Sequence, residues 1–427
     1  MYIKNRGELP RGDPYDVILD ALEAALDAAD PYKAVASALA REGGEFKKFA
    51  GVHVVGFGKA SVKMAKAAVD ALGGLVRGGV VISPEGEGSV GPVRVLKGDH
   101  PVPGRNTLKS SQELLEYLEE VGEGDALLVL VSGGGSALFE APEEGVSLEE
   151  VGRISLQLMK RGADIVELNA VRKRLSRVKG GKLLKMVKAR YVLSLVISDV
   201  VGDRLDTIAS GPTAPDYTTT DYAVAVLKKY KMWDELPPHV KEAVLRGDTL
   251  KPGDPHFNKV KNVVVASNLQ SLRRAEEVLR SRYNTLLLTA MLEGEAREAG
   301  RVLASVAKGV AHHSTPVPRP AAILAGGETV VTVRGSGVGG RNQELCLSFA
   351  VAVKGYDIYA ACLGTDGVDG NSPAAGAIVD GAMASAADPL PYLENNDSYT
   401  FFKALNRAIY TGYTGTNVND VFIAVVK

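Results

Sequence analysis

The chain has 427 residues, of which 45% are hydrophobic and 24% are charged, and its formal net charge is -1. This length exceeds one ordinary core, so we expect two domains, and the composition is that of a globular protein. The near-neutral charge gives no electrostatic reason to expect nucleic acid or an anionic membrane as a partner. No apolar run is long enough to cross a bilayer. Cys346 and Cys362 lie in apolar runs without metal-ligand spacing, so a reducing cytoplasm is the expected location.

The first predicted strand, Val52–Phe57, ends in a glycine-rich turn that carries Lys59, and a helix follows to about Leu72. The turn is not a P-loop, because His53 and Ala60 stand where that motif needs a glycine and a serine or threonine. A lysine at the start of a helix is unfavourable beside the helix dipole unless an anion is bound nearby. An anion-binding role for Lys59 is therefore favoured over a solvated lysine.

A fully apolar run at 126–131 precedes three glycines that lie between two serines. Such a run is typical of a buried parallel strand, whose carboxyl end is the ligand side of an open sheet. Three consecutive glycines exceed the need of a tight turn, and they allow backbone N–H groups to approach an anion. We therefore predict a phosphate or carboxylate cradle rather than a plain turn. Its residues are Ser132, Gly133, Gly134, Gly135 and Ser136.

Strands alternate with helices in this part of the chain, which predicts a doubly wound parallel sheet. The other strands are predicted at 79–83, 93–97 and 191–197, and the helices at 107–121, 148–161 and 165–187. The last helix carries polar residues that either face the site or belong to a solvated surface. The three that we expect to face the site are Asn169, Arg172 and Lys179. His100, in the turn between strand and helix, is either a substrate contact or simply exposed.

The strand at 191–197 ends in a loop that contains Asp199, Asp203 and Asp206. Asp199 stands at the carboxyl end of its strand, where ligands bind in open sheets. Carboxylate oxygens there would hold a metal ion, or accept the proton of a hydroxyl group. Ordinary turn and cap chemistry is the alternative. Three aspartates in one loop favour a site, with Asp199 and Asp203 as metal ligands.

The periodic pattern weakens from Tyr230 to Asn258, which contains several prolines, so the expected domains are residues 1–236 and 259–427. A second series of strands is predicted at 262–266, 285–289, 321–325, 329–333, 357–363 and 421–426, with helices at 272–282 and 293–311. Asp366 lies nearer than Asp369 to the end of the strand at 357–363, and it is preferred as a metal or ribose ligand for that reason.

The loop after residues 329–333 contains Gly335, Gly337 and Gly340, which match the dinucleotide-binding fingerprint by letter. The match is weak, because Gly326-Gly327 makes the preceding strand look like half of a hairpin and the helix begins with charged residues. A phosphate-facing loop with Arg341 as an anion clamp fits the pattern better. The residues expected to bind there are Gly337, Gly340 and Asn342.

Six motifs together resemble the class II glycerate kinases, whose C-terminal part is called the MOFRL domain. They are Gly56–Ser61, Leu130–Leu138, Ser198–Asp203, Gly339–Glu344, Gly364–Gly367 and Thr414–Asp420. The resemblance implies a Rossmann-like α/β domain with a parallel sheet between helices, a smaller mixed-sheet α/β domain, and an active site in the cleft between them. It also implies transfer of a phosphoryl group from ATP to D-glycerate with Mg²⁺, giving 2-phosphoglycerate. By analogy Lys59 and Arg341 are catalytic, and we add Asp199 to them.

Two other functions stay open at this point. A hydroxypyruvate reductase would use NAD(P)H at residues 335–340, and a non-catalytic protein would bind sugar acids in the same cradle without ATP or metal. No membrane or nucleic-acid partner is expected, and the sequence allows a homodimer.

Overall fold

The computed structural model describes residues 1–427, with the side chain of Ala386 excepted. Its contacts divide the chain into two compact units, which are residues 31–265 (the first unit) and residues 1–30 with 266–427 (the second unit). Residues 1–30 thus pack with the C-terminal part of the chain, which differs from the predicted boundary. The reason is the apolar face of the helix Tyr15–Ala28, which packs against the helix Asn268–Leu279 and the sheet of the second unit.

The first unit contains a seven-stranded sheet in the order β3-β4-β2-β1-β5-β6-β7. Its strands are β1 (Val52–Phe57), β2 (Val76–Ser83), β3 (Gly88–Val90), β4 (Val93–Lys97), β5 (Ala126–Val131), β6 (Tyr191–Ile197) and β7 (Val260–Ala266). β1 pairs in parallel with both β2 and β5, β2 with β4, and β5 with β6, whereas β3 is antiparallel to β4. The predicted parallel sheet is confirmed.

The order of these strands reverses between β1 and β5. From β1 the sheet grows through β2 to β4 on one side and through β5 to β6 on the other. β1 and β5 are in register along their whole length and end together at Phe57 and Val131. Open α/β sheets bind ligands beyond the carboxyl ends of their strands at such a switch point. The two glycine-bearing turns that follow β1 and β5 start from this point.

The second unit contains a six-stranded mixed sheet in the order β12-β11-β10-β13-β9-β8. Its strands are β8 (Asn284–Leu292), β9 (Ala321–Gly327), β10 (Ile358–Gly364), β11 (Gly376–Asp380), β12 (Ala408–Ile409) and β13 (Asp420–Val426). β8 and β9 are parallel, and the other neighbouring pairs are antiparallel. One apolar cluster lies on each face of this sheet. The predicted smaller mixed-sheet unit is therefore confirmed.

Helices cover the faces of both sheets. In chain order they are α1 (Tyr15–Ala28), α2 (Pro31–Glu42), α3 (Ser61–Leu72), α4 (Arg105–Glu120), α5 (Gly135–Leu138), α6 (Leu148–Lys160), α7 (Ile165–Arg174), α8 (Leu183–Met186), α9 (Thr220–Lys229), α10 (Pro238–Arg246), α11 (Asn268–Leu279), α12 (Ala296–His313), α13 (Arg341–Ala352), α14 (Met383–Ala386), α15 (Leu390–Glu394) and α16 (Ser398–Ala404). Short 3-10 turns lie at Gly43–Lys48, Gly73–Leu75, Ile208–Ser210 and Pro255–Lys259. Among the residues that the structure describes, no helix combines the length and the apolar character needed to cross a membrane.

Three predicted elements differ from the structure. The helix predicted at 165–187 ends at Arg174, because the chain then runs beside residues 141–143: the N–H of Glu143 donates to the Leu175 carbonyl, and the N–H of Arg177 donates to the Ala141 carbonyl. The strand predicted at 329–333 is irregular apart from one bridge at Val330, since this segment pairs with no neighbouring strand. The strand predicted at 262–266 lies in the first sheet as β7, and therefore does not begin the second unit.

Candidate active site

The turns after β1 and β5 are joined to each other by backbone and side-chain hydrogen bonds. The N–H of Lys59 donates to the carbonyl of Gly133 at 2.9 Å, and the N–H of Ala60 donates to the hydroxyl of Ser132 at 3.1 Å. A Cβ at Gly58 would collide with Ser132, so glycine permits this close approach. Ser132, which is 1% exposed, therefore positions the two turns rather than facing a ligand.

Gly133 and Gly134 form the exposed edge of the loop after β5. Among the residues that the structure describes, no acceptor receives a hydrogen bond from the N–H of either glycine. Gly134 has a φ of 80° and directly precedes α5, so both groups lie at the start of a helical turn. Unpaired N–H groups on a glycine loop at a sheet's carboxyl end are what an anion-binding cradle requires.

Lys59, His100 and Gly134 lie together at this edge. A Cβ added at Gly134 would lie 2.9 Å from the His100 ring and 3.4 Å from Cε of Lys59. Burial, together with the charge of Lys59, lowers the pKa of His100, so its ring is neutral at pH 7. Lys59 is exposed and supplies the positive charge, and the neutral ring beside it supplies one donor and one acceptor.

Asp199 lies at the end of β6, against the other side of the glycine loop. A Cβ at Gly133 would collide with its carboxylate. The loop thus has a lysine on one side and a carboxylate on the other, and its N–H groups lie between them. Asp203 lies farther along, in a turn with a φ of 53° whose N–H donates to the Val200 carbonyl. Asp206 is buried in an ion pair with Lys173 at 3.4 Å, which assigns it a structural role.

A buried chain of polar groups supports Ser136. Its hydroxyl lies 3.0 Å from that of Ser210, which in turn donates to Oδ1 of Asn169 at 3.0 Å. Asn169 is 3% exposed, and its Nδ2 has no hydrogen-bond partner among the described residues. A buried unpaired donor is costly, so this amide is suited to contact a ligand or a bound water.

Behind the same loop, Glu140 makes an ion pair with Lys179 at 2.8 Å, and both side chains are buried. Burial lowers the pKa of Lys179, and the charge of Glu140 opposes this shift. Nζ of Lys179 also donates to the Phe139 carbonyl at 2.9 Å. Lys179 is therefore occupied internally. Arg172 donates from Nε to Ser155 at 3.1 Å and lines a cavity that also contains Glu140 and Ser136.

In the second unit, Arg341 begins α13 and is held by two carboxylates. Its Nη1 lies 2.7 Å from Glu328, and its Nε lies 2.7 Å from Asp420. Burial alone would lower the pKa of Arg341, but these two charges outweigh it and raise the pKa. Burial also raises the pKa of Asp420 to about 7, against the pull of Arg341 and Asn342. The fork of Arg341 is thus oriented before any ligand arrives.

The glycine loop before α13 uses its N–H groups within the protein. Each N–H from Arg334 to Gly339 donates to the segment 395–397 or to Asn371, at distances from 2.7 to 3.1 Å. A Cβ at Gly337 would collide with Asp397, and one at Gly340 with Asp369. These two glycines therefore allow tight backbone packing. Their predicted role in binding stays a prediction.

The N-terminus of α13 is capped by Asp369. Its carboxylate accepts the N–H groups of Asn342 at 3.0 Å and Gln343 at 2.8 Å. Asn342 also donates to Asp420 at 2.9 Å. Asp366 accepts the N–H of Val368 at 3.2 Å and lines a cavity of about 700 Å³ with Arg341. Among the described residues, no three histidine, cysteine or acidic side chains are grouped as a metal site.

Comparisons with known proteins cover most of the chain. A family model described as a domain of unknown function, DUF4147, matches residues 17–245, and the MOFRL family model matches residues 321–420. The D-glycerate 2-kinase of Thermotoga maritima is 45% identical over 88% of this chain and 90% of that protein. The glycerate 2-kinase of Pyrococcus horikoshii is 40% identical over 94% of this chain and 95% of that protein.

The chain belongs to the class II glycerate kinase family. A crystal structure of glycerate kinase from Thermotoga maritima agrees with the fold, with a TM-score of 0.89 at 42% identity, covering 96% of this chain and 99% of that one. Two residues of the candidate site, Glu140 and Ser210, were not predicted from the sequence. Glu140 is hidden in the apolar run 137–141, and Ser210 follows its strand by thirteen residues. Only the tertiary contacts reveal them.

Proposed function

We propose that this protein transfers the γ-phosphoryl group of ATP to the 2-hydroxyl group of D-glycerate. The observation that carries the proposal is the edge formed by Lys59, Gly133 and Gly134, where a cation and unpaired N–H groups lie together at the switch point. Phosphoryl transfer needs oriented positive charge around the equatorial oxygens more than it needs covalent help. The acid substrate and the choice of its 2-hydroxyl group are inferred from the names of the two relatives, D-glycerate 2-kinase and glycerate 2-kinase.

The reaction forms a bond between the hydroxyl oxygen and the γ-phosphorus and breaks the bond between that phosphorus and the β-phosphate oxygen. ADP leaves, and the hydroxyl proton passes to a base. Lys59 and the N–H groups of Gly133 and Gly134 stabilise the charge on the transferring group. Asp199, which lies against Gly133, is placed either to accept the proton or to hold a cation.

Magnesium fits this edge of the first unit. Mg²⁺ keeps several waters and binds through one or two carboxylates together with substrate phosphates, and so needs no cluster of three. Asp199 offers such a carboxylate beside the cradle. When bound, the ion would neutralise charge on the phosphates. Asp366 and Asp203 remain weaker proposals, since Asp366 already caps its own turn and the chain of Asp203 turns away from the strand end.

In the second unit, Arg341 is proposed as a catalytic residue that clamps an anion. Asp420 and Glu328 fix its guanidinium, which reduces the cost of ordering it when an anion binds. The reductase alternative is not favoured, because residues 329–333 are not a strand and the N–H groups from Arg334 to Gly339 are bonded within the protein. The first two glycines of the fingerprint, Gly335 and Gly337, therefore offer a pyrophosphate no unpaired N–H group.

Incubation with ATP, magnesium and D-glycerate, followed by phosphorus NMR, tests the proposal. We expect ADP and 2-phosphoglycerate in equal amounts. A 3-phosphoglycerate product would correct the assigned hydroxyl group, and the absence of any phosphorylated acid would overturn the kinase. Steady oxidation of NADH by hydroxypyruvate would establish the reductase instead. A cytoplasmic location and a homodimer stay proposals, and the first is supported by the unpaired state of both cysteines.

A further inference from the structure

A cavity of about 540 Å³ lies in the first unit beside the glycine loop. The turn at residues 100–104 forms one wall and α6 forms the other. Gly134 and Ser136 line it as well, so the cavity is continuous with the proposed phosphate cradle. Its size is in the range of sites for drug-sized ligands and exceeds the need of a three-carbon acid.

The walls of this cavity carry aliphatic side chains that the fold leaves in contact with solvent. Val102 is 66% exposed, Leu156 is 48% exposed and Met159 is 46% exposed. All three line the cavity. Apolar side chains gathered on an exposed concave surface usually mark a ligand site. D-glycerate, which carries a carboxylate and two hydroxyl groups on three carbons, would gain little from such walls, whereas a flat heterocycle would be buried between them.

The floor of the cavity supplies polar groups that the protein leaves unsatisfied. Glu140 is 2% exposed, and its Oε1 has no hydrogen-bond partner among the described residues. Arg172 lines the same floor and has the charge of Glu140 near it. An acceptor beside a donor matches the edge of adenine, which presents an amino group next to a ring nitrogen.

We propose that this cavity binds the adenine base of ATP, with Glu140 accepting a hydrogen bond from the exocyclic amine. The inference rests on the proposed kinase function and extends it, because it assigns the cavity to the nucleotide rather than to the acid. It also orients the nucleotide, since the base lies against α6 and the phosphates reach the loop at Gly133 and Gly134. The acid then binds outside this cavity.

Gly152 offers a direct test. It lies in α6 and lines the cavity, and a Cβ added there would meet no heavy atom within 4 Å. Gly152→Phe therefore adds a ring at an open position of the cavity wall, and it also improves helix propensity, so the variant should fold. Gly44→Phe is the matched control, because a Cβ at Gly44 also meets no heavy atom within 4 Å and this glycine lies in a different turn of the same unit.

Calorimetry should compare ADP with tripolyphosphate, which lacks the base. We expect Gly152→Phe to weaken ADP binding roughly ten- to hundredfold, as expected when an aromatic ring loses its burial, and to leave tripolyphosphate binding unchanged. Gly44→Phe should bind both probes like the natural protein. Leu156→Ser, at an exposed position, should weaken ADP binding several-fold and serves if Gly152→Phe does not fold.

Two results would overturn the inference. Normal ADP binding by both cavity variants would exclude the base from the cavity. A raised KM for D-glycerate with normal ADP binding would assign the cavity to the acid. If the natural protein binds ADP but does not phosphorylate D-glycerate, the kinase proposal fails while the ADP result still decides the cavity.

Discussion

Two glycine-rich loops at the start of helices, one in each unit, look alike in sequence and differ in structure. The loop at 132–136 leaves the N–H groups of Gly133 and Gly134 without an acceptor among the described residues. In the loop at 334–340, the N–H groups from Arg334 to Gly339 donate to the segment 395–397 and Asn371. In both loops a Cβ would meet neighbouring groups, so glycine allows close packing in each, and the two loops differ in whether their N–H groups have acceptors. The partners of the N–H groups, rather than the number of glycines, distinguish a cradle from a packed turn.

The largest effect is expected at the first loop. Lys59→Met keeps the aliphatic stem and deletes the charge that faces Gly134, so kcat should fall on the order of a hundredfold or more, with KM changed less. Thermal stability should hold, since Lys59 is exposed. Lys66→Met on α3 is the control, because Lys66 is exposed and its contacts are with Asp70 and the Tyr32 ring at the surface. Steady-state kinetics that are normal in a folded Lys59→Met enzyme would remove Lys59 from the mechanism.

The next effect concerns the carboxylate behind this loop. Asp199→Asn keeps the shape of the side chain that touches Gly133 and removes its charge. We expect the affinity for magnesium nucleotide to fall roughly tenfold or more, because a hard cation needs charged oxygen ligands. Asp366→Asn in the second unit, measured in parallel by titration of nucleotide with and without magnesium, shows whether that carboxylate contributes. A large loss of thermal stability with normal kinetics would make Asp199 a structural cap.

The same substitution in the two loops sharpens the comparison. Gly133→Ala places a methyl group against the Asp199 carboxylate, which can rotate away, so activity should fall while the protein stays folded. Gly337→Ala places a methyl group 2.6 Å from the Asn395 carbonyl oxygen, which is backbone. It should lower the free energy of unfolding by about 1–3 kcal/mol and leave nucleotide binding normal. If Gly133→Ala instead lowered stability with normal binding, and Gly337→Ala weakened nucleotide binding in a folded protein, the second loop rather than the first would be the nucleotide site.

The smallest effect is the pH dependence of the Arg341 cluster. The pKa of Asp420 is about 7 in the folded protein, against 3.8 ordinarily, so between these values the folded chain holds a proton that the unfolded chain lacks. The contribution of Asp420 to stability therefore declines as pH rises from about 4 to 7 and is level above 7. Asp420→Asn removes this dependence. As the pH rises from about 4 to 7, the urea midpoint of the variant should rise relative to that of the natural protein. A difference between the two midpoints that does not change with pH would contradict the raised pKa of Asp420.

Strand ends were predictable and tertiary partners were not. β1, β5 and β6 have the predicted bounds. An apolar run indicates a buried strand, and the glycine or aspartate that follows it indicates where the strand ends at the edge of the sheet. The extent of α7 was overpredicted, since Lys179 and Lys182 are buried in ion pairs rather than spread along a helical surface. Likewise, the sequence pattern of α1 shows that one of its faces is apolar but does not indicate which sheet that face covers. Local pattern shows that a face is apolar, whereas the contact that buries it depends on the whole chain.

The most direct test of the comparison is an amide NMR titration of ¹⁵N-glycine-labelled protein with ADP. Substitution of single glycines assigns the signals. If the loop at 132–136 is the phosphate cradle, the resonances of Gly133 and Gly134 should shift strongly as ADP binds, whereas those of Gly335 and Gly337 should hardly move because their N–H groups stay bonded to the protein. Large shifts confined to Gly335 and Gly337 would contradict the account and place the phosphates at the other loop.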